Sequence, residues 1–262
     1  MNPPAVHPFL LGLLKGADAT TPAPPGPADA AWDTIISEAI LQGLAPLLYG
    51  WLTGSGWAAK LPPALRERIK SNVFRLAARN IAFGRELARI LRAFEARQVA
   101  CAPVRGPALA ELLYGTITMR PMGDLDFLVR KDALPAVTDI LQGLGFQERN
   151  RQPGFAQAYC NTLEFVSERH GGMIVEPHWT IVYPPFADRI DMEAVWKRCV
   201  RGTVGGVETW RLGREDLLLH LCLHLVHRGD SAPLLWFYEL DRLIRQAGDA
   251  FDWPERPFFG MA

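Results

Sequence analysis

Two aspartates one residue apart, Asp124 and Asp126, open the otherwise apolar run Asp124-Leu-Asp-Phe-Leu-Val129. On a strand successive side chains alternate faces, so these carboxylates point the same way while Leu125 and Phe127 point the other. Like charges at that separation repel, and a divalent cation relieves the repulsion by supplying the charge they lack. Oxygen-only ligands of this kind suit Mg2+ or Mn2+ rather than zinc. The same pair can also cap a turn before the strand, an ordinary use of aspartate. Its surroundings favour chemistry. Upstream, Val104-Arg-Gly-Pro-Ala-Leu-Ala-Glu-Leu-Leu-Tyr114 reads as a short apolar strand, a glycine, and a helix that begins at proline. Such a junction lets a phosphate approach the backbone N–H groups of the helix N-terminus, and beside metal-binding carboxylates it would hold a nucleoside triphosphate.

These stretches, VRGPALAELLYG, RPMGDLDFLV and the LQGLGF that follows, resemble the bacterial uncharacterised nucleotidyltransferase branch of the DNA polymerase β-type superfamily. The resemblance implies an α+β core, a small mixed sheet with helices, flanked by helical N- and C-terminal segments. It also implies a third acid on a later strand. Glu176 in Ile174-Val-Glu-Pro-His-Trp179 matches that acid, followed as in the family by His178 and Trp179. The implied catalytic and metal-binding set is Asp124, Asp126 and Glu176, and the implied nucleotide contacts are Arg105, Gly106, Pro107, Arg120 and His178. The implied reaction is metal-dependent: an NMP group passes from an NTP, ATP first among them, to an unidentified acceptor hydroxyl, releasing pyrophosphate with Mg2+ or Mn2+ as cofactor.

The chain departs from the family pattern at four places. Arg105 stands for the usual lysine and keeps the charge, whereas Pro107 removes a backbone donor where many relatives have Gly or Ser. Glu176 carries one methylene more than the family's aspartate. Pro177 cannot donate to a sheet ladder, which predicts that its strand lies at an edge or ends there. These departures leave a second reading: a catalytically degenerate relative that acts as a nucleotide- or protein-binding module.

His220, His224 and His227 fall at i, i+4 and i+7 on one side of a helix. H-E-x-x-H is absent, and the three are read as a zinc site, as a face lining the active-site cleft, or as ordinary packing. Trp179, Trp236 and Phe237 are expected in the core. Neither a Walker-type phosphate loop nor G-x-G-x-x-G is present.

The elements that must position these residues fall into three stretches: a helical region 1–98 with a proline-rich linker at 18–31, the nucleotidyltransferase core 99–212, and a C-terminal helical region 213–262 that is short for the family. Within the first, one helix is predicted over Trp32–Leu52. A second, about 30 residues long, opens at Pro62-Pro63. Its many arginines alternate with Glu67, Glu86 and Glu95, which reads as a solvated face rather than a nucleic-acid surface. In the core, Asp132 is a good N-cap for a helix ending at Gly143, and the glycine pairs 171–172 and 205–206 mark hairpins.

Composition agrees with a globular chain of 262 residues: 49% hydrophobic, with 28 basic residues balancing 28 acidic ones, so its net field calls for neither nucleic acid nor an acidic membrane. Four scattered cysteines, Cys101, Cys160, Cys199 and Cys222, lack metal or disulfide spacing and are read as reduced thiols, with a cytoplasmic location expected. No run approaches the roughly 18 apolar residues of a membrane span.

Overall fold

The strand that begins at Asp124 is an interior strand of a five-stranded mixed sheet. It is described here from a computed structural model covering residues 6–16, 31–149, 159–168, 171–184, 186–248 and 251. Strand β2 (Asp124–Val129) pairs antiparallel with β1 (Cys101–Pro103) and parallel with β5 (Met173–His178). Strands β3 (Gln147–Glu148) and β4 (Phe165–Ser167) complete the order β1-β2-β5-β4-β3. A separate ribbon joins β6 (Val200–Val204) to β7 (Val207–Arg211) through Gly205 and Gly206, whose φ values of 59° and 73° suit the primed turn that a glycine pair permits. The hairpin expected at Gly171-Gly172 also forms, joining β4 to β5. His170 and most of the proline-rich 18–31 segment lie outside the described residues.

Of the two alternatives that Pro177 left, strand β5 takes the second: it ends at His178, one residue on, and is not an edge strand, pairing with β2 on one side and β4 on the other. Pro177 is tolerated because it sits one residue before the strand ends. Its carbonyl still accepts, from Leu163 N–H at 3.1 Å and Thr162 Oγ1 at 3.0 Å, so only the donor it never had is missing from the ladder.

Helix α4 (Pro63–Ala96) runs 34 residues, about 50 Å at 1.5 Å per residue. Near its start, Ile69 packs with α1 (Pro8–Gly16), α2 (Trp32–Leu41) and α3 (Ala45–Gly54) around Trp32, Ile35, Ile36 and Leu48. Its second half, Phe83 to Phe94, covers one face of the sheet together with α6 (Leu134–Gly143), burying Leu125, Phe127, Val129, Phe165 and Val175. Its Arg66, Arg75, Arg79, Arg85 and Arg92, and Arg97 just beyond its end, are exposed.

The single helix expected over Trp32–Leu52 is two. Gly43 adopts φ +74° and closes α2, with Leu44 N–H donating to the Ala39 carbonyl at 2.7 Å, and a Cβ there would stand 3.1 Å from Leu235. Asp132 likewise caps nothing: it lies in a 3-10 turn, Lys131–Ala133, ahead of α6. The other sheet face packs Ala102, Val104 and Leu128 against Ile181, Leu212 and α7 (Met192–Arg198), whose N-cap Asp191 accepts from Ala194 N–H at 3.0 Å. Helices α5 (Gly106–Tyr114), α8 (Arg214–Arg228) and α9 (Leu234–Ala247) meet through Leu109, Leu113, Leu218, Leu221 and Leu243. No helix among the described residues is long and apolar enough to cross a membrane.

Candidate metal centre

Parallel pairing of β2 and β5 sets Asp126 opposite Glu176 in register, so two carboxylates from residues 50 positions apart in sequence become neighbours on one sheet face. His178, two residues on, shares that face. Its Nε2 lies 3.2 Å from Asp126 Oδ1 and 3.6 Å from Glu176 Oε2. Among the described residues these three form a cluster whose ligand atoms all lie within 4.8 Å of one another. Asp124, one pleat away, stands outside that cluster but lines the same cavity, of about 340 Å³, with Asp126 and Glu176.

The carboxylates differ electrically. Burial would raise the pKa of Asp126, but Arg105 and His178 reverse this and hold its carboxyl well below the usual range. Arg105 Nη2 donates to Asp126 Oδ1 at 2.5 Å, and the guanidinium is itself raised above its ordinary value by that partner despite its burial. Asp124 is pushed up to about 6 by burial and by the charge of Asp126. Glu176 is pushed up to about 7 by burial, then by Asp126 and Asp124. Two carboxylates that resist ionising beside a third that does not amount to an uncompensated negative site, and a donor set of three carboxylates and one imidazole fits an oxygen-preferring divalent cation.

Arg105 is the N-cap of α5, and Gly106 follows at φ +49°, close to the Asp124 carbonyl, where a Cβ would stand 3.5 Å from that oxygen. Gly106 and Pro107 are buried and fall outside the cavity lining, and the Ala108 N–H already donates to the Arg105 carbonyl at 3.1 Å. The other end of Arg105 donates from Nη1 to the His224 ring, 2.6 Å away. Arg120 lines the cavity but is gripped by Glu239 of α9, with Nε 2.8 Å from Oε1 and Nη2 3.2 Å from Oε2. The loop that carries Arg120 toward the aspartates is tied to α4: Asn80, fully buried, donates to the carbonyls of Ile117 and Arg120 at 2.6 and 2.7 Å.

The three histidines divide. His220 is buried, donates from Nδ1 to the Ile181 carbonyl at 3.0 Å, and is held neutral by burial, its pKa falling to about 3. His224, lowered to about 2 by burial and by Arg105, lines the cavity, as does His227, stacked on Tyr183. One core expectation fails and one holds in part: Phe237 is 48% exposed, whereas Trp236 is half-buried, packed against the N-terminal helical core while lining the cavity. Trp179 is buried as expected. Sequence reading missed Tyr183, Asn80, Glu239 and Arg228. Of these, Glu239 carried a usable signal: a carboxylate among Leu235, Tyr238 and Leu243 on the buried face of an amphipathic helix asks for a cationic partner.

The fold is an α+β core in which an acidic cluster on two paired interior strands could hold a metal ion beside a cleft. The chain belongs to the uncharacterised nucleotidyltransferase family, whose sequence model matches residues 28–256. No curated protein sequence matches it. Among solved structures it is similar to the antibiotic-resistance factor ANT(2'')-Ia (TM-score 0.46, 12% identity, 65% of this chain and 87% of that one). It is also similar to an antigenic nucleotidyltransferase-like protein from Paracoccidioides brasiliensis (0.43, 18%, 67% and 78%) and to the lincosamide antibiotic adenylyltransferase LnuA bound to lincomycin (0.41, 16%, 61% and 94%).

Proposed function

We propose that the protein transfers a nucleotidyl group from a nucleoside triphosphate to an acceptor hydroxyl, releasing pyrophosphate. The observation that carries this reading is the convergence of Asp124, Asp126 and Glu176 on one cavity whose lining also includes Arg228 and His227. Asp124, Asp126 and Glu176 would hold Mg2+ or Mn2+, which when bound stabilises charge on the attacking and leaving oxygens. His178, between Asp126 and Glu176, orients both carboxylates. Glu176, whose raised pKa comes from burial and the two aspartates, would be ionised once a cation offsets them, and takes the acceptor's proton on a carboxylate oxygen as its hydroxyl attacks the α-phosphorus in line. Arg105 keeps Asp126 ionised and oriented, while Arg228 offers positive charge to the phosphates. ATP is the first donor to try.

A second reading is favoured by one observation: Arg105 already occupies Asp126 Oδ1, and the α5 N-terminus lies outside the cavity. On that reading the fold binds nucleotide without turning it over. Incubation with each α-labelled NTP, Mg2+ or Mn2+ and a cell extract decides between the two. Label transfer by wild type, lost by about 10³-fold or more in the Asp124→Asn, Asp126→Asn double variant, supports the enzyme. Metal-dependent nucleotide binding without transfer supports the binding module, and the absence of both transfer and binding overturns both readings.

A further inference from the structure

The cavity that holds the carboxylates has a second wall made of rings. Tyr183 and His227 stack face to face, centroids 3.8 Å apart and planes 9° from parallel. Trp236 lies 4.5 Å from the His224 ring, with the Arg228 guanidinium 5.9 Å over its own ring. All line the same cavity as the three acids. His227 is exposed and Trp236 half-buried, so both keep ring surface toward solvent. Cation binding alone needs none of these rings. An exposed aromatic group beside a guanidinium offers stacking area to a planar, electron-rich ligand.

We propose that Tyr183, His227 and Trp236 receive the nucleobase of the triphosphate donor and select purines over pyrimidines by stacking area. This rests on the nucleotidyl-transfer reading above and names the donor end of its substrate. The path from acid to ring is continuous: Trp236 touches His224, His224 accepts from Arg105 Nη1 at 2.6 Å, and Arg105 Nη2 reaches Asp126 Oδ1 at 2.5 Å. The rings thus stand two side chains from Asp126, one of the carboxylates that would hold the cation. Arg228 beside the rings extends positive charge along the same wall, which suits one anionic molecule with a planar end better than a cationic acceptor. Stacking tolerates every base, because each has a π-face, and contributes about 1–3 kcal/mol per base. A bicyclic purine covers more of the wall than a pyrimidine, whereas adenine and guanine cover it alike.

The test uses the full chain and the free nucleosides adenosine, guanosine, cytidine and uridine, followed by saturation-transfer NMR. It needs no metal, phosphate or acceptor, so a failure of nucleotidyl transfer leaves the readout intact. Purine ring protons should receive saturation, with adenosine and guanosine binding within about threefold of each other and at least about fivefold tighter than the pyrimidine nucleosides. His227→Ala, at an exposed position, and Trp236→Leu should each weaken adenosine binding about fivefold or more, while Mn2+ binding read by electron paramagnetic resonance stays unchanged. Pyrimidines binding as well as purines would overturn the proposal. So would unchanged nucleoside binding in both variants, or variants that raise KM for the acceptor and leave KM for the NTP alone. Label transfer without any nucleoside contact sinks the ring wall and spares the transferase; nucleoside contact without label transfer does the reverse.

Discussion

Asp126 and Glu176 face each other across β2 and β5, yet the fold treats them in opposite ways. Asp126, 3% exposed, is compensated by a guanidinium and an imidazole and stays ionised. Glu176 has His178 at 3.6 Å and no direct contact with Arg105, whose pull is outweighed by burial and the nearby Asp126 and Asp124, and its proton is held to about neutral pH. The first carboxylate is part of the structure whether or not a cation is bound. The second is an electrostatic debt that a cation would clear. One sheet register therefore supplies both a fixed ligand and a responsive one, and the difference lies in what α5 delivers: Arg105 reaches Asp126 and not Glu176.

The strongest way to break that contrast is to neutralise each member in turn. Asp126→Asn leaves Arg105 buried without its counter-charge and should cost about 3 kcal/mol of metal-free stability at pH 7, read by urea unfolding, besides abolishing label transfer. Glu176→Gln should also lower label transfer, by about 10²-fold or more, but it should leave the metal-free protein as stable as wild type or more so. Equal destabilisation by the two substitutions would show that the carboxylates are not electrically distinct.

A pH series sharpens the same contrast. Between 4.5, the ordinary value of a glutamate, and about 7, the folded protein keeps the Glu176 proton that the unfolded chain has lost. The folded state then binds more protons, so this group's contribution is complete below pH 4.5 and is lost as pH rises through 7. Wild type should therefore lose up to about 3 kcal/mol relative to Glu176→Gln between pH 4.5 and 8 without divalent cations, and saturating Mn2+ should remove the loss. Asp126 has the opposite sign: its pKa is depressed, so its contribution is present above the ordinary aspartate range and falls away as pH drops below it. A flat difference between wild type and Glu176→Gln across this range would contradict the reading of Glu176.

The smallest effect is expected at Arg105→Lys, which restores the residue usual in the resembled family. An ammonium keeps the charge beside Asp126 but cannot serve Asp126 and His224 together through two forked nitrogens. Melting should fall by about 1–2 kcal/mol equivalent, with Mn2+ affinity within about threefold of wild type. Loss of metal binding in this variant would mean that the fork itself, not its charge, holds Asp126 in place.

Local rules were legible in the chain. The D-x-D alternation, the 34-residue α4 and the two glycine-pair hairpins follow from sterics within a few residues, and Glu176 was reachable once a family pattern said where to look. The helix break at Gly43 is no exception to the local rules, since Gly43 at φ +74° closes α2 with Leu44 N–H donating to the Ala39 carbonyl at 2.7 Å, a cap that a glycine signals in sequence. What could not be read is non-local. Arg105 and Arg120 look alike as loop arginines, yet one meets Asp126 and the other meets Glu239, 119 residues away. Pro177 reads as the edge or the end of a strand, and only the sheet decides between them: the strand is interior and its ladder ends one residue later.

By itself, then, the sequence determined which side chains share a face and where helices and turns begin, since those depend on backbone geometry over a few residues. Tertiary structure decided which charges are compensated and which rings face the acids. Burial and ion pairing depend on groups brought together from α5, α8, α9 and the sheet, and no short window of sequence contains them.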